Sequence, residues 1–202
     1  MSPHRAIVSL YERHARVFDR DRGRGLEERG WLDRFLAHVQ PGGRVLDIGC
    51  GMGEPIARYL IESGVEVTGV DSSPTMIAMC RARFPRAEWR VADMRTLELG
   101  RRFDGVLAWD SFFHLDHDDQ RAMFPRFAAH AAPGAPLMFT SGPAAGEAIG
   151  EYGGEPLYHA SLDPEEYQLA LASSGFSVRE FVVDDPRCGN HTVWLATRSG
   201  ER

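Results

Sequence analysis

The sequence predicts an α/β fold in which a doubly wound, seven-stranded sheet carries helices on both faces. Its 202 residues, 43% of them hydrophobic, suffice for one domain with a buried core, so a single domain over residues 1–202 is expected. Short β-branched runs alternate with segments of helical period, which is typical of parallel strands joined by crossover helices. The last two strand candidates lack a helix between them, which predicts an antiparallel hairpin at one end of the sheet.

Each predicted element has a local reason. Runs rich in β-branched and aromatic residues predict strands over 44–48, 66–70, 89–92, 103–109, 137–141, 176–183 and 192–197. Helical period predicts helices over 55–62, 74–84, 118–130 and 164–174, and Ser73 and Asp163 supply capping side chains directly before a proline. Residues 1–40 are expected to form an Arg-rich, amphipathic helical segment before the first strand. Residues 142–160 are the one long connection, long enough for a substrate loop.

The composition excludes several classes of protein. All 23 basic residues are Arg, which excludes a lysine Schiff base and therefore pyridoxal phosphate chemistry. The net charge of -6 includes no long basic run, so nucleic acid is not an expected partner, and no apolar run is long enough to span a membrane. The cysteines at 50, 80 and 188 lack the spacing of a metal site and are expected to be reduced thiols. The protein is expected in the cytoplasm, as a monomer or a homodimer.

A glycine-rich turn follows the first strand candidate. Three alternating glycines, Gly49, Gly51 and Gly53, let the backbone bend tightly and let a ligand approach it closely. Asp71 closes the next strand about 20 residues later, at the spacing where an acid reaches a ribose diol in doubly wound folds. Asp93 and Met94 follow the third strand candidate. The carboxylate could accept a hydrogen bond from the exocyclic amine of adenine, and the apolar side chain could cover the adenine ring.

A dinucleotide-binding site is the main alternative interpretation of this turn. Its fingerprint needs a third glycine three residues after the second, but Glu54 and Ile56 stand at the two possible positions. A glutamate there would also repel a pyrophosphate at the helix N-terminus. A nicotinamide-dependent oxidoreductase is therefore ranked below a protein that binds a single nucleoside.

Taken in this order, the glycine turn, Asp71, the Asp93 pair and the strand from Phe103 to Trp109 resemble class I S-adenosylmethionine (SAM)-dependent methyltransferases. The resemblance runs from about Tyr11 to the terminal hairpin, and it is nearest the small-molecule subgroup akin to ubiquinone and menaquinone biosynthesis methyltransferases. It implies a Rossmann-like sheet of order 3-2-1-4-5-7-6 with strand 7 antiparallel, and SAM as the cofactor. The residues that it implies at the cofactor are Tyr11, Asp47, Gly49, Cys50, Gly51, Gly53, Asp71, Ser72, Met76, Asp93, Met94 and Trp109.

The methyl acceptor is expected beyond the fourth strand, because ligands of open α/β sheets bind at the carboxyl ends of the strands. His114 is the candidate general base there, and Asp110 is a candidate for orienting the acceptor. The other candidate acceptor-binding residues are Phe112, Phe113, Tyr152, Tyr158, His159 and His191. No metal is expected, since the acids at 116–119 are better explained as the capped first turn of a helix than as ligands beside His114 and His117.

The predicted function is methyl transfer from SAM to a small molecule that the sequence does not name. A nonenzymatic SAM-binding sensor or partner subunit is the second hypothesis. The aromatic and ionisable residues after the fourth strand favour the enzyme, because a sensor needs no acceptor cavity.

Overall fold

A computed structural model describes residues 3–200 of the chain, with side chains from residue 6 onward. Nine strands are present among residues 3–200: β1 Arg44–Ile48, β2 Glu66–Asp71, β3 Glu88–Val91, β4 Gly105–Ala108, β5 Pro136–Ser141, β6 Gly146–Tyr152, β7 Glu155–Ser161, β8 Phe176–Asp185 and β9 His191–Arg198. Seven of them form one sheet of order β3-β2-β1-β4-β5-β9-β8. Strands β1 to β5 are parallel, and β9 is antiparallel to both of its neighbours. The predicted order is confirmed, because β8 and β9 are the sixth and seventh strands of this sheet.

The described residues also form six α-helices, two before β1 and four between strands: α1 Pro3–Asp21, α2 Arg29–Leu36, α3 Ile56–Glu62, α4 Pro74–Arg83, α5 His117–His130 and α6 Pro164–Ser173. Three of them begin with side-chain caps, in which Ser73, Asp116 and Asp163 accept hydrogen bonds from backbone N–H groups of the first turn. Within residues 3–200, no helix is both long enough and apolar enough to cross a membrane.

The sheet has a buried core on each face. On one face, α5 and α6 cover an aromatic cluster that includes Phe112, Phe124, Phe139 and Tyr167. On the other, α2, α3 and α4 cover a cluster that includes Trp31. Two covered faces explain why the parallel strands have near-continuous apolar sequences. They also leave the ends of the strands as the place for a ligand.

The connection over residues 142–160 contains a β-hairpin instead of the expected loop. Strands β6 and β7 pair antiparallel from Gly146 with Ser161 to Tyr152 with Glu155. The two residues between them, Gly153 and Gly154, have φ angles of 60° and 80°, as the favoured two-residue hairpin turn requires. Tyr158 and Ala160 of β7 pack against Ile7 of α1, so the hairpin and the first helix meet above the sheet.

Candidate active site

A cavity of about 340 Å³ lies at the carboxyl ends of β1, β2 and β4. Eleven of the twelve expected cofactor-binding residues line it: Tyr11, Asp47, Gly49, Cys50, Gly51, Asp71, Ser72, Met76, Asp93, Met94 and Trp109. The twelfth, Gly53, does not line the cavity. A Cβ at that position would lie 3.0 Å from the Phe84 ring, so Gly53 allows close packing of that side chain.

The glycine turn is fixed to the end of the neighbouring strand. Gly49 has a φ of 77°, and a Cβ there would lie 2.2 Å from the Cβ of Ser111. Gly51 has a φ of 54°, and its N–H donates a 3.0 Å hydrogen bond to Oδ2 of Asp71. The left-handed backbone and the close approach to Ser111 explain why glycines occupy these positions.

The Asp71 carboxylate is held by backbone N–H groups. Besides the bond from Gly51, Oδ1 accepts a 2.8 Å hydrogen bond from the N–H of Ser73. Burial raises the pKa of Asp71, although both of these bonds favour the charged form. The side chain lines the cavity, so its remaining lone pairs are available to accept hydrogen bonds from a ligand.

Asp47, on β1, is a buried carboxylate without a hydrogen-bonding partner among residues 6–200. Its exposed fraction is 3%, and it lines the cavity. Burial, together with the nearby charge of Asp71, raises the pKa of Asp47 to about 7. Burying such a group alone is costly. The arrangement therefore suits a ligand that brings a cationic group to this carboxylate.

Asp93 is already engaged by a neighbour. Arg95 binds its carboxylate through Nε at 3.0 Å and Nη2 at 2.5 Å. Burial opposes ionisation, but the hydrogen bonds from Arg95 lower the pKa of Asp93 overall. The carboxylate stays charged and retains lone pairs for a donor such as an exocyclic amine.

His114 lies at the far end of the cavity and is 6% exposed. Its Nδ1 is 2.8 Å from the carbonyl oxygen of Tyr158, and its Nε2 is 3.0 Å from the hydroxyl of Tyr11. Because a carbonyl only accepts, Nδ1 carries the proton and Nε2 accepts from the tyrosine hydroxyl. Burial lowers the pKa of His114 to about 4. The imidazole is therefore neutral near pH 7.

His191, a second histidine at this end of the cavity, is protonated near pH 7, unlike His114. His191 Nε2 lies 2.9 Å from Oδ1 of Asp110, and its Nδ1 lies 2.7 Å from the carbonyl oxygen of Cys188. The hydrogen bond to Asp110 raises the pKa of His191 to about 9, so both ring nitrogens donate. Asp110 itself has a φ of 47° and lies 4.0 Å from the guanidinium of Arg22.

The other predicted acceptor residues separate into two groups. Phe113 and His159 line the cavity, with ring centroids 5.2 Å apart. Phe112, Tyr152 and Tyr158 do not line it. Phe112 is on the opposite side of its 3-10 turn, in the core beneath the sheet end.

The two tyrosines of the hairpin support the site from outside the cavity. Tyr152 stacks on Tyr11 at 6.1 Å. Tyr158 is 3% exposed and contributes its carbonyl oxygen to His114. His117 bonds the carbonyl oxygens of Gly146 and Ser161, so it faces the hairpin, away from His114.

Arg22 lines the cavity and was missed by the sequence analysis. A signal was present, because Tyr11, Phe18 and Arg22 recur at spacings of seven and four residues, which places them on one side of a helix. All three line the cavity. Ile7 and Val8 of the same helix line it too, so α1 forms a complete wall of the site.

Comparison with known proteins agrees with this fold. The family described as "Methyltransferase domain" matches residues 45–134. A dTDP-3-amino-3,6-dideoxy-alpha-D-glucopyranose N,N-dimethyltransferase from Streptomyces fradiae is 38% identical over 98 residues, which are 48% of this chain and 38% of that protein. An O-methyltransferase from Pyrenophora dematioidea is 28% identical over 154 residues, which are 70% of this chain and 57% of that protein. The chain therefore matches well under two thirds of either relative.

A solved structure shares the fold over nearly its whole length. It is a SAM-bound amino pentose methyltransferase from Micromonospora echinaspora, with a TM-score of 0.70 and 23% identity, and the match covers 94% of this chain and 97% of that one. The family match covers strands β1 to β4 and helix α5, and the structural match shows that the fold is shared over 94% of this chain. In sequence over these residues and in fold over nearly its whole length, the chain is similar to SAM-dependent methyltransferases.

Proposed function

We propose that this protein transfers the methyl group of SAM to an amine nitrogen of a small molecule of the amino sugar class. The observation that carries the proposal is the cavity, which joins the glycine turn and Asp71 at one end to His114 and Asp110 at the other. The narrower resemblance to ubiquinone and menaquinone methyltransferases stays a prediction. The amino sugar relative from Streptomyces fradiae favours a different acceptor.

The charge of the cavity supports SAM as its ligand. Six carboxylates line it, those of Asp47, Glu54, Asp71, Asp93, Asp110 and Asp119, against the guanidinium groups of Arg22 and Arg95. SAM carries a sulfonium and an α-ammonium, so an excess of negative charge attracts it. The unpaired carboxylate of Asp47 matches the ammonium, and Asp71 is free to accept from the ribose hydroxyls.

The residues at the other end are suited to position an amine. When bound, SAM supplies an electrophilic methyl group, and the chain has to align an unprotonated nitrogen with it. The Tyr11 hydroxyl gives its hydrogen to Nε2 of His114, so its oxygen is left to accept a hydrogen bond from an acceptor N–H. We assign His114 the role of fixing this hydroxyl, and the methylated amine keeps its proton as an ammonium ion, so the transfer itself needs no base.

The same charge distribution favours nitrogen over oxygen as the methylated atom. Most amines arrive as ammonium ions, and the carboxylates that line the cavity attract cations. An alcohol would need a base strong enough to remove its proton, whereas the pKa of His114 is lowered by burial to about 4. A neutral amine already carries the lone pair that the transfer requires.

The test is transfer of labelled methyl groups from SAM to two matched acceptors, an amino sugar and the same sugar with a hydroxyl in place of the amine. The proposal predicts label on the amine only, detected by mass spectrometry. His114→Ala should lower kcat about 100-fold, in line with the usual cost of a misplaced reactant, because the Tyr11 hydroxyl is no longer held in place, while SAM binding stays intact. Label on the hydroxyl sugar alone would contradict the assignment to nitrogen, and label on neither would contradict the proposed activity.

A further inference from the structure

A second cavity of about 520 Å³ adjoins the first one. It lies between the end of β5, the start of the β6–β7 hairpin and the turn that joins β8 to β9. Phe113, His159 and His191 line both cavities. Those three side chains therefore form a shared boundary, so a molecule whose reacting amine lies beside His114 can extend past them into the second cavity.

The second cavity is negatively charged. Its ionisable lining residues are Glu147, Asp184, His159 and His191, and none of the residues described along its wall is an arginine. Burial lowers the pKa of His159, so this imidazole is neutral near pH 7. The charge on His191 is balanced by Asp110, at 2.9 Å. Among the described residues Asp184 has no ion-pair partner, and the ion-pair partner of Glu147 is His117, whose Nδ1 lies 3.9 Å from Oε1 and outside the cavity lining.

The backbone beside this cavity is held in an unusual conformation. The described residues other than glycine that have a positive φ are Asp110, Asp184 and Asn190, and each lines one of the two cavities. Asp184 is fixed further by Thr192, whose Oγ1 accepts from the Asp184 N–H at 3.2 Å and lies 3.3 Å from Oδ1. Strained positions of this kind cluster at ligand sites, and here they direct a carboxylate to the cavity wall.

We infer that the second cavity holds the body of the methyl acceptor, and that this acceptor is an amine-bearing sugar without a nucleotide diphosphate. The inference rests on the proposed function and names its substrate class more closely. A diphosphate is bound in proteins by arginines, lysines or clustered backbone N–H groups, and carboxylates repel it. Sugar hydroxyls, in contrast, donate hydrogen bonds to carboxylates such as those of Glu147 and Asp184.

The experiment compares two probes that share one amine. The first is a 3-amino-3,6-dideoxyglucose methyl glycoside, and the second is the same sugar linked to dTDP. Binding of each probe to the protein saturated with S-adenosylhomocysteine (SAH) is measured by ligand-detected NMR. We expect the free glycoside to bind at least tenfold more tightly. Equal or tighter binding of the dTDP-linked probe would overturn the inference, as would failure of both probes to bind.

A pair of variants tests whether the carboxylates set this preference. In Glu147→Gln with Asp184→Asn, affinity for the dTDP-linked probe should rise at least threefold, while affinity for the free glycoside changes less. The control removes the same net charge at exposed carboxylates away from both cavities, in Glu98→Gln with Glu165→Gln, and should leave the ratio unchanged. A ratio that moves equally in both pairs, or in neither, would contradict the inference. Failure of the proposed function is seen separately, as absence of SAH binding in calorimetry before any probe is added.

Discussion

The acidic residues of the site differ in what holds them. Asp93 is paired with Arg95, Asp110 with His191, and Asp71 with backbone N–H groups. Asp47 has none of these partners among residues 6–200 and has its pKa raised to about 7. The residue that most needs a ligand to stabilise its charge is thus one of those that the resemblance places at the cofactor.

The raised pKa of Asp47 predicts a pH dependence of cofactor binding. Only the ionised carboxylate attracts an ammonium, so affinity for SAH should be highest above pH 7 and fall toward tenfold per unit as the pH drops below it. Calorimetry from about pH 5.5 to about pH 8.5 measures this change in affinity, because that range brackets the pKa of Asp47. In Asp47→Asn the affinity should be low and nearly constant over the same range. A wild-type affinity that does not change with pH would contradict the assigned ion pair.

The pair of Asp110 and His191 predicts a second titration. The folded-state pKa of His191, about 9, lies above its unfolded value, so the pair stabilises the fold fully below about 6.5 and this contribution is lost as the pH rises through 9. NMR of the imidazole protons should show His191 titrating near 9 in the wild type. Asp110→Asn should bring it back toward about 6.5. A wild-type value near 6.5 would show that the ion pair does not form.

At the scale of elements, one buried amide joins the site to the hairpin. Gln120 of α5 donates 2.9 Å hydrogen bonds to the carbonyl oxygens of Leu115 and Ala160, and its Oε1 accepts from the Tyr167 hydroxyl at 2.5 Å. Leu115 follows His114 directly, and Ala160 follows His159. The amide therefore fixes the distance between the two segments that carry the cavity histidines.

Replacing this amide should destabilise the fold. Gln120→Ala removes three buried hydrogen bonds, although the Ala160 carbonyl and the Tyr167 hydroxyl oxygen each still accept another one. At about 1 kcal/mol for each bond the expected loss is about 3 kcal/mol, as measured by urea unfolding. The exposed neighbour Asp118 provides the control, since Asp118→Ala on the same helix should cost under about 1 kcal/mol. Equal losses in the two variants would contradict the role of Gln120.

The sequence predicted the strands of the main sheet, where periodicity is clear, and missed the β6–β7 hairpin, where it is not. The sheet strands and the terminal hairpin are bounded by alternating or β-branched runs, and their positions agree with the structure to within about two residues. Strand β6 has a nearly fully exposed sequence of small and acidic residues, which lacks a buried face to produce a pattern. The pair of Gly153 and Gly154 was the available signal, because two glycines favour a tight hairpin turn.

At the scale of the whole molecule, the cavity lining around the glycine turn was predicted almost completely, and the lining around His114 was predicted in part. The glycine turn and Asp71 belong to consecutive strands of a parallel sheet, so topology alone brings them together. Tyr11 and His114 are 103 residues apart and meet only because α1 packs beside the hairpin. Long-range contacts between layers leave no periodic trace in a single sequence, which is why Phe112 was expected in the cavity. Arg22 was overlooked although its spacing from Tyr11 and Phe18 places it on the same side of a helix.

The most direct test of the account is a calorimetric titration of SAH into the wild-type protein and into Asp71→Ala. We expect one SAH-binding site in the wild-type protein, with a Kd on the order of micromolar. In the variant the affinity should fall by about 2 to 3 kcal/mol, or roughly 30- to 150-fold, because the carboxylate no longer accepts from the ribose hydroxyls. No binding by the wild-type protein, or equal affinities of the two proteins, would contradict the claim that a nucleoside lies across the glycine turn with its ribose on Asp71.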